Sequence, residues 1–163
     1  MKTTLLLVGK TTSKPLSQLV DDYVERVGHF APFSVEVIPE LRKARSLTLE
    51  QQKELESDEI LNRLKASDFV VLLDERGREF RSVQFAEFVQ KLHLRGASRV
   101  VFIVGGPYGF ANSVYERANE KISLSKMTFS HQMIRLLFVE QLYRAYSILN
   151  GLPYHHEWKS GKL

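Results

Sequence analysis

The sequence predicts an α/β protein whose parallel β-sheet is covered by helices on both faces. Short runs that are almost purely apolar recur along the chain, and longer segments with helical periodicity separate them. A strand that is buried on both faces reads as a continuous apolar run, and its alternation with helices is typical of a parallel sheet. The length of 163 residues suits one domain, so we expect residues 1–163 to form a single unit.

The expected elements follow one another without a linker or an internal repeat. Apolar runs predict strands at residues 3–9, 34–38, 69–73 and 100–104. Helical periodicity predicts helices at 15–27, 48–64 and 83–94, then a short helix that ends near 119 and a long one at 131–149. The long helix is apolar on nearly every side. Such a helix must be buried on two sides, so we expect it to pack on its own sheet and on a second copy of the chain, in a homodimer.

Composition and charge narrow the classes of function. The chain has no cysteine, which excludes a disulfide scaffold, a thiolate zinc site and a cysteine nucleophile. The longest apolar run near its start, residues 5–8, is too short for a signal sequence or a membrane span, so we expect a cytoplasmic protein with no membrane partner. The net charge of +4 favours a polyanionic partner such as RNA, although many basic proteins bind none.

Two glycine-containing loops stand at the predicted ends of strands. The segment 105–109 (GGPYG) follows one strand and precedes a helix, where α/β proteins bind ligands and where glycine lets backbone approach a ligand closely. A simple tight turn is the alternative. The segment 73–78 (LDERGR) ends another strand, and the two loops should lie side by side if their strands are neighbours; a solvated turn is the alternative here. By contrast, Gly9-Lys10-Thr11 is not a phosphate-binding P-loop, because that motif needs glycine where Thr4 stands.

Residues 125–131 form a third candidate loop before the long helix. Ser130 is placed to cap that helix by accepting from a free backbone N–H, and His131 is either a plain first-turn residue or a functional one. Within the helix, Glu140 and Arg144 have the spacing of an ion pair, and a structural pair and a phosphate-binding arginine are comparable interpretations.

The chain ends with Tyr154, His155 and His156, where disorder is the usual expectation. Adjacent histidines chelate one metal poorly and no carboxylate spacing completes a site, so we predict no metal. Basic residues form three groups, some of which simply solvate helices: Arg42, Lys43 and Arg45; Arg76, Arg78 and Arg81; and Lys91, Arg95 and Arg99. The first two groups lie on predicted loops at strand ends, so they are candidates for contact with a phosphate backbone.

Taken together, the segments 73–77, 105–109, 123–132 (SLSKMTFSHQ), 140–145 (EQLYRA) and 153–156 (PYHH) resemble the ribosomal RNA large subunit methyltransferase H family. The resemblance covers essentially the whole chain. It implies a SPOUT methyltransferase, which is an α/β protein with a C-terminal trefoil knot and a dimer interface beside the cofactor pocket. It also implies transfer of a methyl group from S-adenosylmethionine to N3 of a pseudouridine in 23S rRNA of the ribosome.

The same resemblance assigns the cofactor-binding positions. They are Leu73, Gly105, Gly106, Ser125, Lys126, Met127, Thr128, Phe129 and Ser130. Methylation of an imide nitrogen requires removal of its proton and alignment with the sulfonium methyl, which positioning and a nearby base supply without a metal. Our hypothesis for the catalytic residues is that His155, with Tyr154, lies on the substrate side of the pocket while Arg144 orients phosphate or base.

Three positions depart from the pattern of many family members. Proline is common where Ser130 stands, a small polar residue where Arg81 stands, and arginine where His156 stands, and residues 157–163 extend past the usual end. Two alternative functions stay open on the sequence. One is a SPOUT methyltransferase that acts on tRNA, and the other is a ribosome-binding protein without catalysis.

Overall fold

The computed structural model describes residues 1–40 and 46–157. The basic group Arg42, Lys43 and Arg45 lies outside these ranges, as do residues 158–163 of the extension, which include Lys159 and Lys162. Within them, the strands are β1 (Lys2–Val8), β2 (Phe33–Ile38), β3 (Phe69–Glu79), β4 (Arg99–Val104) and β5 (Glu120–Ser123). The helices are α1 (Lys14–Gly28), α2 (Leu49–Asn62), α3 (Ser82–Leu94), α4 (Asn112–Arg117) and α5 (Met133–Leu149).

The strands form one sheet in the order β2-β1-β4-β3-β5, and every neighbouring pair is parallel. Successive residues of a strand point to opposite faces, so Leu5 and Leu7 of β1 join a core with α1, α3 and α5, whereas Leu6 and Val8 join a second core with α2 and α4. The predicted class, a parallel sheet flanked by helices on both faces, is confirmed.

The strand at residues 120–123 was not predicted, and β3 is longer than predicted. β3 does not end at Leu73 but runs on to Glu79 beside β5, and both Leu73 and Arg78 pair with Ile122. The residues between them therefore bulge out of the ladder, which allows a charged stretch to remain part of a strand. Asn119 guides the chain into β5, because its N–H donates to the Val70 carbonyl at 2.9 Å and its side-chain oxygen accepts from the Val70 N–H at 2.8 Å.

Helix α2 begins with a capping box. Thr48 Oγ1 accepts from the Gln51 N–H at 3.1 Å, and Gln51 Oε1 accepts from the Thr48 N–H at 3.0 Å, so both exposed backbone donors are satisfied. Further along the helix, Ser57 Oγ accepts from the Ala111 N–H at 3.0 Å. Helix α2 is thereby attached to the chain segment that follows β4.

Helix α5 starts at Met133, two positions later than predicted, and one of its sides is fully buried. Phe138, Val139 and Leu142 pack in the core with α1 and α3. On the opposite side, Met133 is 45% exposed and Leu137 is only partly covered. Burial on one side is therefore explained by the chain itself, and the homodimer stays a prediction.

Candidate functional site

A cleft of about 820 Å³ opens beside the carboxyl ends of β4 and β5 and the bulge in the middle of β3. Its floor is apolar, with Leu73 of β3, Val104 of β4 and Ile122 of β5, and Ile134 from the first turn of α5 also lines it. The volume falls within the range of about 300–1,000 Å³ that is typical of sites for small molecules and cofactors. The predicted neighbourhood of the two strand-end loops is confirmed, because β3 and β4 are paired.

The residues assigned to the cofactor by resemblance converge on this cleft. Those that line it are Leu73, Gly105, Gly106, Ser125, Met127, Thr128, Phe129 and Ser130. Lys126 is the member of the assigned set that is not part of the lining. Three separate chain segments thus form one cavity, as the resemblance implies.

The glycine loop forms a tight turn and also lines the cleft, whereas its binding of a ligand stays a prediction. The Gly109 N–H donates to the Gly106 carbonyl at 3.2 Å, and Gly109 has a φ of 79°, which favours glycine. A Cβ at Gly105 would lie 3.0 Å from the ring of Phe110. The absence of side chains therefore keeps the backbone of this loop accessible from the cleft.

The loop between β5 and α5 is held by its own serines. Ser123 Oγ donates to the Ser125 carbonyl at 2.8 Å, and Ser125 Oγ accepts from the Met127 N–H at 2.9 Å. Ser130 Oγ accepts from the Met133 N–H at 3.1 Å, which confirms its predicted role as a helix cap. Serine at position 130 thus fixes the end of the loop by a hydrogen bond, where proline would fix it by its ring.

A charged and aromatic group forms the wall of the cleft along the bulge of β3. Tyr115 donates to Asp74 Oδ2 through a short hydrogen bond, and Arg76 Nη2 donates to the Tyr115 hydroxyl at 2.9 Å. Burial disfavours ionisation of Asp74, but hydrogen bonds from Tyr115 and from Arg76 outweigh it and lower the pKa of the carboxyl. Burial and the hydrogen bond to Asp74 raise the pKa of Tyr115. This wall therefore presents a carboxylate, a neutral phenol and a guanidinium.

His131 lines the cleft at the start of α5, next to a fully buried arginine. Arg135 Nε donates to the His131 carbonyl at 2.9 Å, and the same guanidinium donates to the carbonyls of Val8 and Gly9, each at 2.8 Å. Burial and the charge of Arg135 lower the pKa of His131, whereas the charge of Glu40 opposes the shift. The loop after β1, including Gly9, is thus fastened to the helix that borders the cleft.

The three residues assigned to catalysis form a cluster of their own. Arg144 Nη2 donates to Glu140 Oε1 at 2.5 Å, the Tyr154 hydroxyl donates to the same oxygen at 3.0 Å, and Arg144 Nη1 lies 3.2 Å from His155 Nδ1. The Tyr154 hydroxyl also lies 3.1 Å from that of Tyr23. Within the described ranges, neither Arg144, Tyr154 nor His155 lines the cleft of the same chain. Arg144 and Glu140 are an ion pair, as one of the two interpretations of the sequence predicted.

Comparison with known proteins identifies the family. A family model described as predicted SPOUT methyltransferase matches residues 1–155. The ribosomal RNA large subunit methyltransferase H of Bacteroides fragilis is 59% identical over 157 residues, which cover 96% of this chain and 100% of that protein. Proteins of the same name from Phocaeicola vulgatus and Christiangramia forsetii are 60% and 53% identical, over 96% and 93% of this chain and 100% and 97% of their own lengths.

The chain belongs to the ribosomal RNA large subunit methyltransferase H family of SPOUT methyltransferases. The resemblance seen in the sequence motifs is thereby confirmed.

Two of the positions that depart from the family pattern lie at the surface. Arg81 donates from Nη2 to Glu157 Oε1 at 3.2 Å, and Glu157 is the first residue of the extension. This ion pair is exposed, so it contributes little to stability. His156 is exposed as well.

Several residues that line the cleft were not anticipated from the sequence. They are Lys53, Val104, Phe110 and Tyr115. Lys53 and Tyr115 lie on helices whose periodicity gave no indication of a ligand, and the strand that carries Ile122 was itself unpredicted. The alternation of apolar and polar residues in 120–124 was the available signal for that strand.

Metal-ion and membrane sites were also sought in the described parts of the chain. In residues 1–40 and 46–157, no group of three or more histidine, aspartate or glutamate side chains is placed to hold a metal ion. No helix in these ranges combines the length and the apolar character needed to cross a membrane.

Proposed function

We propose that the protein is an S-adenosylmethionine-dependent methyltransferase that methylates N3 of a pseudouridine in 23S rRNA of the ribosome. The observation that carries this proposal is the convergence of Leu73, the Gly105–Gly106 backbone and the loop at 125–130 on one cleft. The relatives, which match nearly the whole chain, are named as methyltransferases of large-subunit ribosomal RNA. Because ribosomes are cytoplasmic in bacteria such as those relatives, we expect the protein in the cytoplasm.

The residues of the cleft fit S-adenosylmethionine as a cofactor. An apolar floor suits an adenine ring, and exposed glycine and serine-loop backbone supplies hydrogen bonds to its edge and to the ribose. When bound, the cofactor supplies an electrophilic methyl group on a sulfonium. The residues that line the cleft would hold that group in line with the substrate nitrogen, and positioning of this kind removes a large part of the barrier to reaction.

The tail cluster suits recognition of the substrate base. Arg144 donates toward His155 Nδ1, so in the neutral imidazole the proton is on Nε2, which is buried and has no hydrogen-bond partner within the described ranges. Burial and hydrogen bonds with Tyr23 and Glu140 raise the pKa of Tyr154, so its phenol is also protonated. The phenolic proton of Tyr154 is donated to Glu140, so we assign Tyr154 as an orienting group and His155 as a donor to the base, with Arg144 holding His155. We expect another group to accept the N3 proton.

A homodimer would bring this cluster to a cleft. The tail residues do not line their own cleft, whereas α5 leaves Met133 and Leu137 partly exposed beside it. We propose that a second copy packs on this side of α5 and contributes its Arg144, Tyr154 and His155 to the first copy's cleft. The C-terminal trefoil knot of SPOUT methyltransferases belongs to the same proposal, as does folding of residues 1–163 as a single domain.

Calorimetric titration with S-adenosylmethionine tests the cofactor assignment. We expect micromolar binding by the unchanged protein and loss of binding in Gly106→Arg, whose side chain would enter the space of Glu56 and of the cleft. Gly28→Arg is the matched control, because nothing lies within 4 Å of a Cβ at Gly28. Failure of the unchanged protein to bind would contradict the proposal and favour the ribosome-binding protein without catalysis.

Methylation assays then separate the substrates. We expect methyl transfer to N3 of a pseudouridine in ribosomes and none to isolated tRNA. The opposite preference would establish the alternative, a SPOUT methyltransferase that acts on tRNA. His155→Ala should abolish most of the turnover while leaving cofactor binding intact, and full turnover by this variant would refute the role of the tail cluster.

A mixing experiment tests the shared site. Gly106→Arg lacks a working cleft and His155→Ala lacks a working tail, so each variant alone should be inactive. If the tail serves the partner's cleft, mixing and re-equilibrating the two variants restores one intact site in each mixed dimer, up to about a quarter of normal activity with random pairing. If tail and cleft act within one chain, the mixture stays inactive.

A further inference from the structure

A buried carboxyl group lies behind the glycine loop of the cleft. Glu56 of α2 is only 7% exposed, and its carboxylate reaches Gly106, where a Cβ would stand 2.7 Å from Oε2 and 3.2 Å from Oε1. Gln52 Nε2 donates to Oε1 at 3.3 Å, a long hydrogen bond. Oε2 is buried and has no hydrogen-bond partner in the described part of the chain.

No cation in the described residues neutralises this carboxylate. Lys53, on the same helix, lies 3.4 Å from Glu50 Oε1 and is paired there. From the end of β2, Glu40 adds a second negative charge. Burial raises the pKa of Glu56 and the charge of Glu40 adds to this shift, while the hydrogen bond from Gln52 opposes it. A buried acid whose oxygen has no partner among the described residues is costly for folding, and a cationic ligand in the adjacent cleft would offset that cost.

Gly106 connects this carboxylate with the cleft. Its backbone lines the cleft, which Glu56 itself does not line, and its missing side chain is what allows Glu56 to approach so closely. Because the carboxylate is buried, its charge is screened less than that of an exposed group, since Coulomb interactions strengthen as the local dielectric constant falls. A cation in the cleft would therefore be stabilised by the ionised form of Glu56 without touching it.

We propose that Glu56 is a specificity-determining residue that makes the cleft prefer a positively charged sulfonium over the corresponding neutral thioether. This inference rests on the proposed cofactor. In methyl transfer, the carbon–sulfur bond of the sulfonium breaks, its electron pair stays on sulfur, and the N3 atom gains the methyl group after losing its proton. The product S-adenosylhomocysteine thus lacks the charge that Glu56 stabilises. The same residue would strengthen binding of S-adenosylmethionine and weaken binding of the spent cofactor.

Two substitutions on α2 separate this role from simple packing. Glu56→Gln keeps the shape and the bond with Gln52 but removes the charge. Glu54→Gln removes the same charge from an exposed position two residues earlier and serves as the control. A purely structural role of Glu56 would weaken the binding of both ligands equally, whereas an electrostatic role acts on the cationic ligand alone.

The experiment is calorimetric titration of the full-length protein and both variants with S-adenosylmethionine and with S-adenosylhomocysteine. In Glu56→Gln we expect the affinity for S-adenosylmethionine to fall roughly tenfold, as for one charge pair at moderate distance and intermediate dielectric, with little change for S-adenosylhomocysteine. Glu54→Gln should keep the preference of the unchanged protein. Thermal unfolding should show Glu56→Gln at least as stable as the unchanged protein, because a buried charge is removed.

Titration at decreasing pH adds an independent test. Protonation of Glu56 removes the favourable charge, so the affinity of the unchanged protein for S-adenosylmethionine should fall as the pH drops through the raised pKa of this carboxyl. The other charged or ionisable side chains that face Glu56 or the cleft are all present in Glu56→Gln as well; they are Glu40, Lys53, Asp74, Glu75, Arg76 and His131. The difference between the two pH profiles therefore isolates Glu56.

Each outcome has a defined meaning. Loss of the preference for the sulfonium in Glu56→Gln alone supports the inference. Equal weakening of both ligands, or an unchanged ratio of affinities, overturns it while leaving the proposed function intact. Absence of binding of either ligand to the unchanged protein overturns the proposed cofactor and this inference together.

Discussion

Arg135 offers a direct measurement of how firmly the edge of the cleft is held. Its side chain is fully buried, and its guanidinium donates to the carbonyls of Val8, Gly9 and His131 and, at 3.2 Å, to Thr11 Oγ1. In Arg135→Met, the three carbonyls lose their donor in a region that water reaches poorly. At roughly 1–2 kcal/mol for each buried carbonyl left unsatisfied, the loss amounts to about 3–6 kcal/mol.

Part of this loss is offset, because burial of a guanidinium is itself costly and the variant no longer bears that cost. Burial lowers the pKa of Arg135, which reflects the same penalty. We therefore expect the free energy of unfolding to fall by about 3–4 kcal/mol, near the lower end of that range.

Urea unfolding followed by circular dichroism measures this change. Arg26→Met is the control, because Arg26 is half-exposed. Its pair with Asp22 at 3.2 Å and its cation–π contacts with Tyr23 and Tyr143 together contribute about 1 kcal/mol. Arg135→Lys, which keeps the charge but loses the planar array of donors, should fall between the two. A loss below about 1 kcal/mol in Arg135→Met, or one equal to that of the control, would refute the hydrogen-bond accounting.

Two further substitutions probe the packing and the charge pairs. In Gly77→Ala, the new Cβ would stand 2.6 Å from backbone atoms of Ile122, so we expect thermal unfolding to show a severe loss of stability. In Gly28→Ala, the new Cβ meets open space, so this substitution should stabilise helix α1 by about 0.5–1 kcal/mol. Asp68 is buried; burial alone would raise its pKa, but hydrogen bonds from Arg99 at 2.6 and 3.0 Å and from a backbone N–H outweigh this and lower it. The contribution of ionised Asp68 to the free energy of unfolding is therefore complete above the ordinary pKa of about 3.9 and is lost as the pH falls through the lowered value. Between pH 5 and pH 2, Asp68→Asn should lose less stability than the unchanged protein. Equal acid sensitivity of the two proteins would contradict this.

The strands that are buried on both faces of the sheet were predictable from the sequence, whereas the short edge strand β5 and the part of β3 that pairs with it were not. The runs around Leu5 and Phe102 are apolar on both faces, so β1 and β4 read clearly as buried parallel strands. β5 pairs with β3 alone and carries Glu120 and Lys121, so its four residues lack that signature. The charged continuation of β3 looked like a loop because its pairing depends on β5, which is a tertiary effect that no local pattern contains.

The residues of the cleft were predictable from the sequence only where they belong to motifs that resemble those of the family. The cofactor positions followed from resemblance, and the structure gathers all of them except Lys126 around one cleft. The role of Glu56 was not predicted from the sequence, because helix α2 carries many charged residues and nothing in its pattern shows which of them lies beside a cleft. The neighbour of Glu56 at the cleft is Gly106, separated from it by fifty positions in the chain and brought near by the packing of α2 on the loop after β4.

The two buried charged residues near this cleft, Arg135 and Glu56, differ in how many hydrogen bonds compensate their burial. Arg135 directs its guanidinium at four acceptors within the chain, so its cost is compensated by the fold, and its loss should damage stability first. In the described part of the chain, Glu56 has one long hydrogen bond and a vacant oxygen, so the residues described there do not compensate its cost. If stability is the only role of a buried charge, both substitutions must destabilise the protein. A protein that loses several kcal/mol in Arg135→Met but loses only ligand selectivity in Glu56→Gln would establish that one charge maintains the fold and the other serves the ligand.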